Sequence, residues 1–585
     1  MMNSLLNNTF NVKAPSEIID LQLKGEFQAA HDAYIDHFQE NDIDYNLLSM
    51  FAVCCLELGK AEKAEKIFGT IIEQCPLLVE PFLHLTHIYL STNRYQEAID
   101  LLSGEAAQKF NDPRITKLLT DLLSQEGKFE LAASKLRDCL HNAPNDNKCA
   151  LSLSKLEFAM GNLDSSKELL ETILFAEPSN QEALEMQAQI LFTEGNVDAA
   201  LTTITGVTET NPQNASAGLL RCKFLDSIGA KKELLKESER LATLDPDDKE
   251  TLCWLMNAQS SLGRHASSIY TAQHLLNIDP KNASVLGVLS GGYFAIGQYE
   301  KALEVIDRIL KIHPKDSRTL SSKGVCLERL FHVDEALEAF DAALQADPSD
   351  SLIKFNKSLT LLTMGRFREG FELYENRFEK DRTKLARYVG AEPEWTGSQS
   401  ISNRHLLIHP EQGYGDTIMA SRFVPFLDQE GAKVTFAVPR ALKTVMQTLN
   451  ANCEVVAVGD VVENIDYQCS LMSLAHYTSH RWDALPSHES YLTAPAFEDA
   501  EQKFHFNERD RFRVGLVCSG NPNHKNDLNR SINMFELLKA LPEGPEYHLL
   551  QKDFRNTDEA AVKLRPDVIR HDNEISSFAD TASLI

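Results

Sequence analysis

Apolar residues recur at the three- and four-residue spacing of amphipathic helices through most of this chain, and the pattern repeats every 34 residues. Two such helical stretches, separated by a short turn, make up each repeat. A pair of helices this short cannot bury its apolar face alone, so successive repeats are expected to stack on one another. The pattern therefore predicts an α-solenoid built from helix pairs.

Three columns of residues fix the register of the repeat. Proline ends each second helix because it cannot continue a helix. Glycine stands 17 residues earlier, where the tight turn between the two helices needs a backbone with positive φ. A small residue, usually alanine, lets the helices approach. The proline column is Pro76, Pro144, Pro178, Pro212, Pro246, Pro280, Pro314 and Pro348, and the glycine column is Gly25, Gly59, Gly127, Gly161, Gly195, Gly229, Gly263, Gly297 and Gly365. Asn93 and Phe331 replace glycine in this register, and Phe110 replaces proline.

These columns resemble the tetratricopeptide repeat. About eleven repeats extend from residue 11 to residue 384, after an N-terminal tail at 1–10. The resemblance implies a superhelix with a concave groove that binds a protein or peptide partner.

The pattern changes after the array. Residues 385–404 are rich in Gly, Pro and Ser and are expected to be a linker. From His405 onward, short apolar runs alternate with helical stretches, which is typical of parallel α/β units. Two successive sets, at 405–495 and 510–585, predict two facing Rossmann-like halves. The second set has only three strand-like runs, so we expect this half to be incomplete.

The loop HPEQGYGDT, residues 409–417, follows the first predicted strand, where an open α/β sheet binds its ligands. Gly413 and Gly415 allow a tight turn and close approach of a ligand. Glu411 and Gln412 are candidates for hydrogen bonds to the hydroxyls of an acceptor. Asp416 has two interpretations. It is either a general base for an acceptor hydroxyl or a cap for the amides of the following helix.

The loop SGNPNHKNDLNRSI, residues 519–532, follows the first strand of the second set. Flexible backbone, cationic side chains and a helix start are the elements of a diphosphate site. The candidate residues are Ser519, Gly520, Lys525, Arg530 and Ser531. The alternative interpretation is a polar surface turn. No G-x-x-x-x-G-K-[ST] sequence is present, which excludes an ATPase loop at the level of the motif.

Charge and composition exclude several classes of function. The chain has 58 Lys and Arg against 85 Asp and Glu, a net charge of −27, so binding to nucleic acid or to an anionic lipid surface is not expected. Its 11 cysteines contain no C-x-x-C, and the histidine pairs His405/His409 and His476/His480 have spacings poorly suited to metal on strands or loops. We therefore predict no metal site, no cofactor and no disulfide framework.

The sequence also predicts a location. The N-terminus lacks the cationic and apolar regions of a secretory signal, and no stretch reaches the roughly 18–20 apolar residues of a membrane span. We expect no membrane span and a cytoplasmic protein.

The segments PEQGYGDTIMASRFVPFL, VGLVCSGNPNHKNDLNRSI and FADTASLI, in this order behind the repeats, resemble the glycosyltransferase domain of bacterial tetratricopeptide-repeat proteins. That domain is similar to the ADP-heptose–lipopolysaccharide heptosyltransferases, which have the GT-B architecture. The resemblance covers roughly residues 388–585. It implies transfer of a sugar from a nucleotide sugar to an acceptor hydroxyl without a metal, with Asp416 as base and with Lys525 and Arg530 near the donor diphosphate.

Two functional hypotheses follow. In the first, the repeats recruit an acceptor or partner to a heptosyltransferase-like domain. In the second, the chain is a non-enzymatic adaptor whose glycosyltransferase-like domain is degenerate or truncated, because the predicted second half is short.

Overall fold

The computed structural model describes residues 13–109, 112–380, 392–482, 490–494, 504, 511–522 and 527–585. The predicted tail at 1–10 and the first part of the predicted linker, 385–391, lie outside these ranges. The chain divides into a first compact unit, Met1–Pro280, and a second compact unit, Lys281–Ile585.

The first unit consists of helices. Eight helix pairs follow one another within its described residues, with one short extra helix after the third pair. The helices are α1 (Pro15–Leu23), α2 (Phe27–Glu40), α3 (Tyr45–Glu57), α4 (Ala61–Gln74), α5 (Val79–Ser91), α6 (Tyr95–Ser103), α7 (Glu105–Gln108), α8 (Pro113–Gln125), α9 (Phe129–Asn142), α10 (Asn147–Ala159), α11 (Leu163–Ala176), α12 (Gln181–Thr193), α13 (Val197–Thr210), α14 (Ala215–Ser227), α15 (Lys231–Leu244), α16 (Lys249–Ser261) and α17 (His265–Ile278).

The glycine column lies at the turn between the two helices of each pair, as predicted. Gly59 has a φ of 72°, and the amides of Gly59 and Lys60 donate to the last carbonyls of α3 over 2.8 Å each. These hydrogen bonds satisfy carbonyl groups in the last turn of the first helix. Asn93, which replaces glycine in the third repeat, adopts the same left-handed backbone with a φ of 59°. Asparagine tolerates this conformation better than most residues.

A further column, which the sequence analysis did not include, begins most of the first helices; α1 and α5 follow Ala14 and Leu78 and lack it. Two residues after the proline position of the repeat, an Asp or Asn accepts a hydrogen bond from the first-turn amides of the next helix. Asp146 does this for the amides of Lys148 and Cys149, over 3.0 and 3.1 Å. In the first unit the same role falls to Asp44, Asp112, Asn180, Asn214 and Asp248. Proline therefore ends one repeat, and the residue two positions later starts the next.

The second unit begins with three more helix pairs and a short helix. These are α18 (Ala283–Ala295), α19 (Tyr299–Ile312), α20 (Ser317–Arg329), α21 (Val333–Ala346), α22 (Ser351–Thr363), α23 (Phe367–Tyr374) and α24 (Arg377–Lys380). The turn between α20 and α21 has Phe331 at the glycine position, with a φ of 62° and a side chain that is 82% exposed.

Two small parallel sheets follow the helix pairs. The first has the strand order β3-β2-β1-β4, and the second has the order β5-β6-β7. All five strand pairings are parallel. The strands are β1 (His405–His409), β2 (Lys433–Val438), β3 (Cys453–Ala457), β4 (Tyr467–Ser470), β5 (Arg513–Leu516), β6 (Glu546–Leu549) and β7 (Ile569–Arg570). These strands coincide with the apolar runs from which the α/β region was predicted.

Short helices connect the strands. They are α25 (Tyr414–Ala420), α26 (Lys443–Met446), α27 (Leu474–Tyr477), α28 (Asp527–Arg530), α29 (Met534–Ala540), α30 (Asn556–Val562) and α31 (Phe578–Leu584). The single helix expected after β1 is shorter than the sequence pattern indicated. It changes to 3₁₀ geometry over Ser421–Glu430, because Pro425 has no amide to donate to the α-helical ladder.

The core of the first sheet includes elements from distant parts of the chain. Trp395, in the described part of the predicted linker, is 3% exposed, and its amide donates to the Gln468 carbonyl over 2.8 Å. Ala579 of α31 belongs to the same core, with Phe578 and Ala582 packed beside it. The final helix, which follows the second sheet in the chain, thus packs on the first. No helix in the described part of the chain is long and apolar enough to cross a bilayer.

Candidate functional site

The first predicted loop lies at the carboxyl ends of β1 and β4. The chain leads from β1 to β2 on one side of the sheet, whereas β4 pairs with the other side of β1. The loops after β1 and β4 therefore diverge at this point and leave a crevice, which is where open α/β sheets bind their ligands.

Arg377 of α24 fills this crevice. Its Nε donates to Glu411 Oε1 over 2.9 Å, and its Nη2 donates to Ser473 Oγ over 2.7 Å. The side chains of Arg377 and Glu411 are 3% and 0% exposed. Burial by itself lowers the pKa of Arg377, but the charges of Glu375 and Glu411 raise it above its usual value, so the guanidinium stays charged.

Gln412 makes a second contact to the repeats. Its Nε2 donates to the Tyr374 hydroxyl oxygen over 2.8 Å, and Tyr374 is buried at the end of α23. Burial raises the pKa of Tyr374, so its hydroxyl stays protonated. Glu411 and Gln412 were the predicted acceptor-binding side chains. The structure places Glu411 against α24 and Gln412 against α23, and their binding of an acceptor stays a prediction.

Asp416 lies in the first turn of α25 and is partly exposed. Its Oδ2 accepts the Gly413 amide over 3.2 Å, which is the capping contact that was one of its two interpretations. Oδ1 has no hydrogen-bond partner among the described residues. Gly413 has a φ of −69°, a value open to any residue, so the turn does not use the conformational freedom expected of this glycine. A Cβ at Gly415 would meet no atom within 4 Å, so the backbone there is open to approach.

The second predicted loop brings four of its five candidates together; Lys525 lies outside the described residues. The Gly520 amide donates to Ser531 Oγ over 3.4 Å. The Arg530 guanidinium lies directly against the α-carbon of Gly520, in the space that a Cβ would occupy. Ser519 is held by Gln551, whose Oε1 accepts its amide over 3.1 Å.

Arg555 belongs to this cluster, although the sequence analysis did not select it. Its Nη2 donates to both carboxylate oxygens of Asp527, over 2.8 and 2.9 Å, and to the Gly520 carbonyl over 3.2 Å. Hydrogen bonds from Ser531 and then Arg555 lower the pKa of Asp527. The signal available in the sequence was position, since Arg555 follows β6 and the carboxyl ends of neighbouring parallel strands lie side by side.

His405 and His409, whose spacing was expected to be poorly suited to a metal, form hydrogen bonds within the protein. Nε2 of His405 lies 2.8 Å from Thr435 Oγ1, and Nε2 of His409 lies 2.8 Å from Gln468 Oε1. Both residues are buried in β1, at 6% and 9% exposure. The geometry shows them as satisfied core histidines.

A polar groove lies on the first unit. It is an open cavity of about 650 Å³ formed by the first helices of three successive pairs, α10, α12 and α14. Its lining is Lys155, Asn180, Gln181, Glu182, Glu185, Met186, Gln189, Asn214 and Ser216. We call this lining the α12 groove.

Side chains in the α12 groove link neighbouring repeats. Lys155 Nζ lies 2.9 Å from Glu182 Oε2, and this hydrogen bond lowers the pKa of Glu182. The two oxygens of Glu185 accept from Asn214 Nδ2 and Ser216 Oγ, over 2.8 Å each. The groove therefore offers ordered amides and carboxylates on a fixed helical scaffold.

A family model described as tetratricopeptide repeat matches residues 123–190, and a second model with the same description matches residues 292–351. The chain contains tetratricopeptide repeats. Solenoids of this kind present extended surfaces on which other proteins bind, which assigns the array to protein–protein interaction.

Three solved structures illustrate the similarity of this chain to known proteins. The MamA protein is 23% identical, over 28% of this chain and 88% of its own, with a TM-score of 0.27. A tetratricopeptide repeat protein from Parabacteroides merdae ATCC 43184 is 14% identical, over 42% and 97%, with a TM-score of 0.30. YrrB, described as a TPR protein with an unusual peptide-binding site, is 18% identical, over 31% and 93%, with a TM-score of 0.27. The search of curated proteins found no match.

Proposed function

We propose that the tetratricopeptide repeats bind an extended, polar segment of a partner protein in the α12 groove. The observation that carries this proposal is the groove itself, an open cavity of about 650 Å³ to which three successive first helices contribute polar side chains. The side-chain amide of Gln189 and the Nε2 of Gln181 offer hydrogen bonds that match those of a peptide backbone. Met186 lines the groove from the core side and is 4% exposed.

The charges of the α12 groove favour a basic segment. Glu182 and Glu185 carry two negative charges, and Lys155 supplies one positive charge. A Lys or Arg in the bound segment would compete with Lys155 for Glu182 and leave the groove neutral. Because the groove itself has a net negative charge, it favours cationic over anionic segments.

The test is selection of binding peptides from a random peptide library displayed on phage, with the full chain as bait. We expect enrichment of Lys- and Arg-containing peptides whose affinity falls about tenfold or more in E182Q/E185Q, equivalent to about 1.4 kcal/mol. The control is E62Q, which changes an exposed carboxylate on α4, outside the groove. Equal affinities of the wild type, E182Q/E185Q and E62Q would place binding elsewhere.

A second candidate function is sugar transfer by the α/β region, as the resemblance to heptosyltransferases implies. The strand order β3-β2-β1-β4 supports a Rossmann-like first half, because a Rossmann sheet begins with the order 3-2-1-4. In a GT-B arrangement the second sheet would be the partial donor half. Its loop cluster of Ser519, Gly520, Arg530 and Ser531, with Lys525, would hold a nucleotide-sugar diphosphate.

Asp416 would act as the base in this reaction. Its Oδ1 would take the proton of the acceptor hydroxyl while that oxygen attacks the anomeric carbon and the nucleoside diphosphate departs. Cationic side chains at the second loop would stabilise the charge of the leaving diphosphate. Arg555 is already paired with Asp527, so we expect Arg530 and Lys525 to be the cations that bind the diphosphate.

Calorimetric titration with a panel of nucleotide sugars and nucleoside diphosphates tests this second candidate. Binding that weakens in R530A, together with transfer that is lost in D416N while donor binding is retained, would support it. The absence of binding to a folded chain would favour the adaptor function, in which the α/β region has a structural role.

A further inference from the structure

Two cysteine side chains meet between adjacent repeats in the first unit. Cys139 lies in the last turn of α9, and Cys149 lies in the first turn of α10. Their sulfur atoms are 2.7 Å apart, and both residues are free thiols in this structure. Their thiols are ten residues apart in the chain and meet because the backbone reverses between the two helices.

The backbone on both sides of this pair is fixed by hydrogen bonds. The Ala143 amide donates to the Cys139 carbonyl over 2.9 Å, and the Asp146 amide donates to the Ala143 carbonyl over 3.1 Å. Asp146 in turn caps α10 through the amides of Lys148 and Cys149. The backbone reversal therefore holds the two cysteines side by side.

We propose that Cys139 and Cys149 form a reversible disulfide that joins α9 to α10. The S–S bond of a disulfide is about 2.05 Å long, so the sulfur atoms need to approach by less than about 1 Å. A carboxylate oxygen of Asp146 also lies within 4.8 Å of both sulfur atoms, which makes a metal site the competing assignment. Two thiolates on a tetrahedral zinc ion would be about 3.8 Å apart, so the sulfur atoms would have to separate. Asp146 is also already engaged as a helix cap. Both observations favour the disulfide.

Each cysteine borders a surface cavity, and Cys139 is the more exposed of the two. This residue is partly exposed and lines a surface cavity with Asp112, Lys135 and Asn142, whereas Cys149 is 7% exposed. The thiolate of Cys139 would attack glutathione disulfide and release one glutathione thiolate. The thiolate of Cys149 would then attack the Cys139 sulfur of the mixed disulfide and release a second. The two cysteines lose two electrons and two protons, and the glutathione disulfide is reduced to two glutathione molecules.

The second step is expected to be the slower one. Burial and the hydrogen bond with Cys139 raise the pKa of the Cys149 thiol, so little thiolate is present at neutral pH. Closure of the disulfide is therefore expected to accelerate as the pH rises, while the mixed disulfide at Cys139 forms first.

Peptide mapping of the full chain tests this proposal. The reduced protein is incubated with glutathione disulfide, the remaining thiols are alkylated, and the protein is digested with trypsin. Cleavage after Arg137, Lys148 and Lys155 gives peptides 138–148 and 149–155, each with one cysteine. We expect these two peptides to appear as one linked species, two hydrogen atoms lighter than their sum, which dithiothreitol separates. Cys54 and Cys55, adjacent and buried in one helix, are the internal control and should stay alkylatable after unfolding.

Variants and zinc separate the remaining outcomes. C149S should remove the linked species and leave glutathione on Cys139, and C139S should leave neither product. Alkylation of both cysteines in the wild type after exposure to glutathione disulfide would overturn the proposal. Protection of both thiols by added Zn²⁺, reversed by a chelator and without a linked peptide under oxidation, would also overturn it and assign a metal site instead.

Discussion

The Nε of Arg377 lies 2.9 Å from Glu411 Oε1, and both side chains are withdrawn from solvent. This ion pair joins the last repeat to the loop after β1. It lies in the crevice where an open α/β sheet binds its ligands. The positive charge in this crevice, the Arg377 guanidinium, therefore comes from the repeat array. Glu375 and Ser473 complete the hydrogen bonding of the guanidinium. Helices and sheet in the second unit are therefore joined by a buried polar network as well as by apolar packing.

Replacement of Arg377 by methionine is expected to destabilise the second unit by about 3–5 kcal/mol, because it leaves the Glu411 carboxylate buried without a partner. Denaturant titration followed by tryptophan fluorescence measures this, since Trp395 and Trp482 both lie in the core of the first sheet. The double variant R377M/E411M should recover a large part of the loss, because neither charge then remains.

The matched control for this substitution is R366M. Arg366, directly before α23, pairs with Glu369 in the first turn of that helix, but the side chains are 46% and 58% exposed. A pair at the surface contributes little, so we expect a change of less than about 0.5 kcal/mol. Equal losses in the free energy of unfolding in R377M and R366M would show that the buried pair stabilises the fold no more than the exposed pair does.

Phe331 is expected to be a site where glycine stabilises the protein. A left-handed backbone destabilises a residue with a Cβ by about 1–2 kcal/mol. Glycine avoids this strain, but it loses more backbone entropy on folding, which offsets about 0.5–1 kcal/mol of the gain. The ring is 82% exposed and buries little surface, so F331G should gain about 0.5–1 kcal/mol in the free energy of unfolding. The converse variant is G297A. A Cβ there meets no atom within 4 Å, so its expected loss of about 1 kcal/mol is purely conformational. A stabilising G297A would contradict this account of the turns.

Asp316 is expected to stabilise α20 as its cap. Its Oδ2 accepts the Thr319 amide over 2.8 Å, and hydrogen bonding to Thr319 lowers the pKa of Asp316 below its usual 3.8. The contribution is therefore present above pH 3.8 and is lost as the pH falls through the lower, folded value. D316A should lose about 1 kcal/mol at pH 7. D316N should lose much less, because its side-chain oxygen still accepts. Denaturant titrations at pH 7 and pH 3 compare the wild type, D316A and D316N. If the free energies of unfolding of the wild type and D316A differed by the same amount at both pH values, the result would argue against the cap.

The buried histidine chain of the second sheet is expected to make stability depend on pH. His548 contacts Glu546 and His571, over 2.9 Å each, Glu574 lies beyond His571, and Arg513 lies 3.5 Å from Glu546. Burial lowers the pKa of His548 from its usual 6.5. The unfolded state therefore takes up a proton first as the pH falls below about 6.5, and stability decreases by up to about 1.4 kcal/mol per pH unit. H548Q should flatten the dependence between pH 7 and pH 5, whereas H480Q, at an exposed position, should not. A profile unchanged in H548Q would assign the dependence to other groups.

Local patterns in the sequence were sufficient for the repeats and the strands. Proline and glycine act within a few residues of themselves, so their spacing predicts where helices end and turn, and Phe331 kept the left-handed turn because the flanking helices impose it. The parallel strands were predicted because each is a short apolar run between helical stretches. The capping column of Asp146 and its equivalents was also in the sequence, but the more prominent proline two residues earlier obscured it.

Tertiary structure decided the contacts of the candidate site. Arg377 and Glu411 are separated by 34 residues of chain, and only the packing of α24 on the first sheet brings them together. The same holds for Arg555 beside the second loop and for α31 on the core of the first sheet. Cys139 and Cys149 meet because two helices reverse direction at a capped turn. Periodicity specifies which residues are buried along one element, whereas the partner of a buried charge or thiol depends on how separate elements pack, and no local pattern records that.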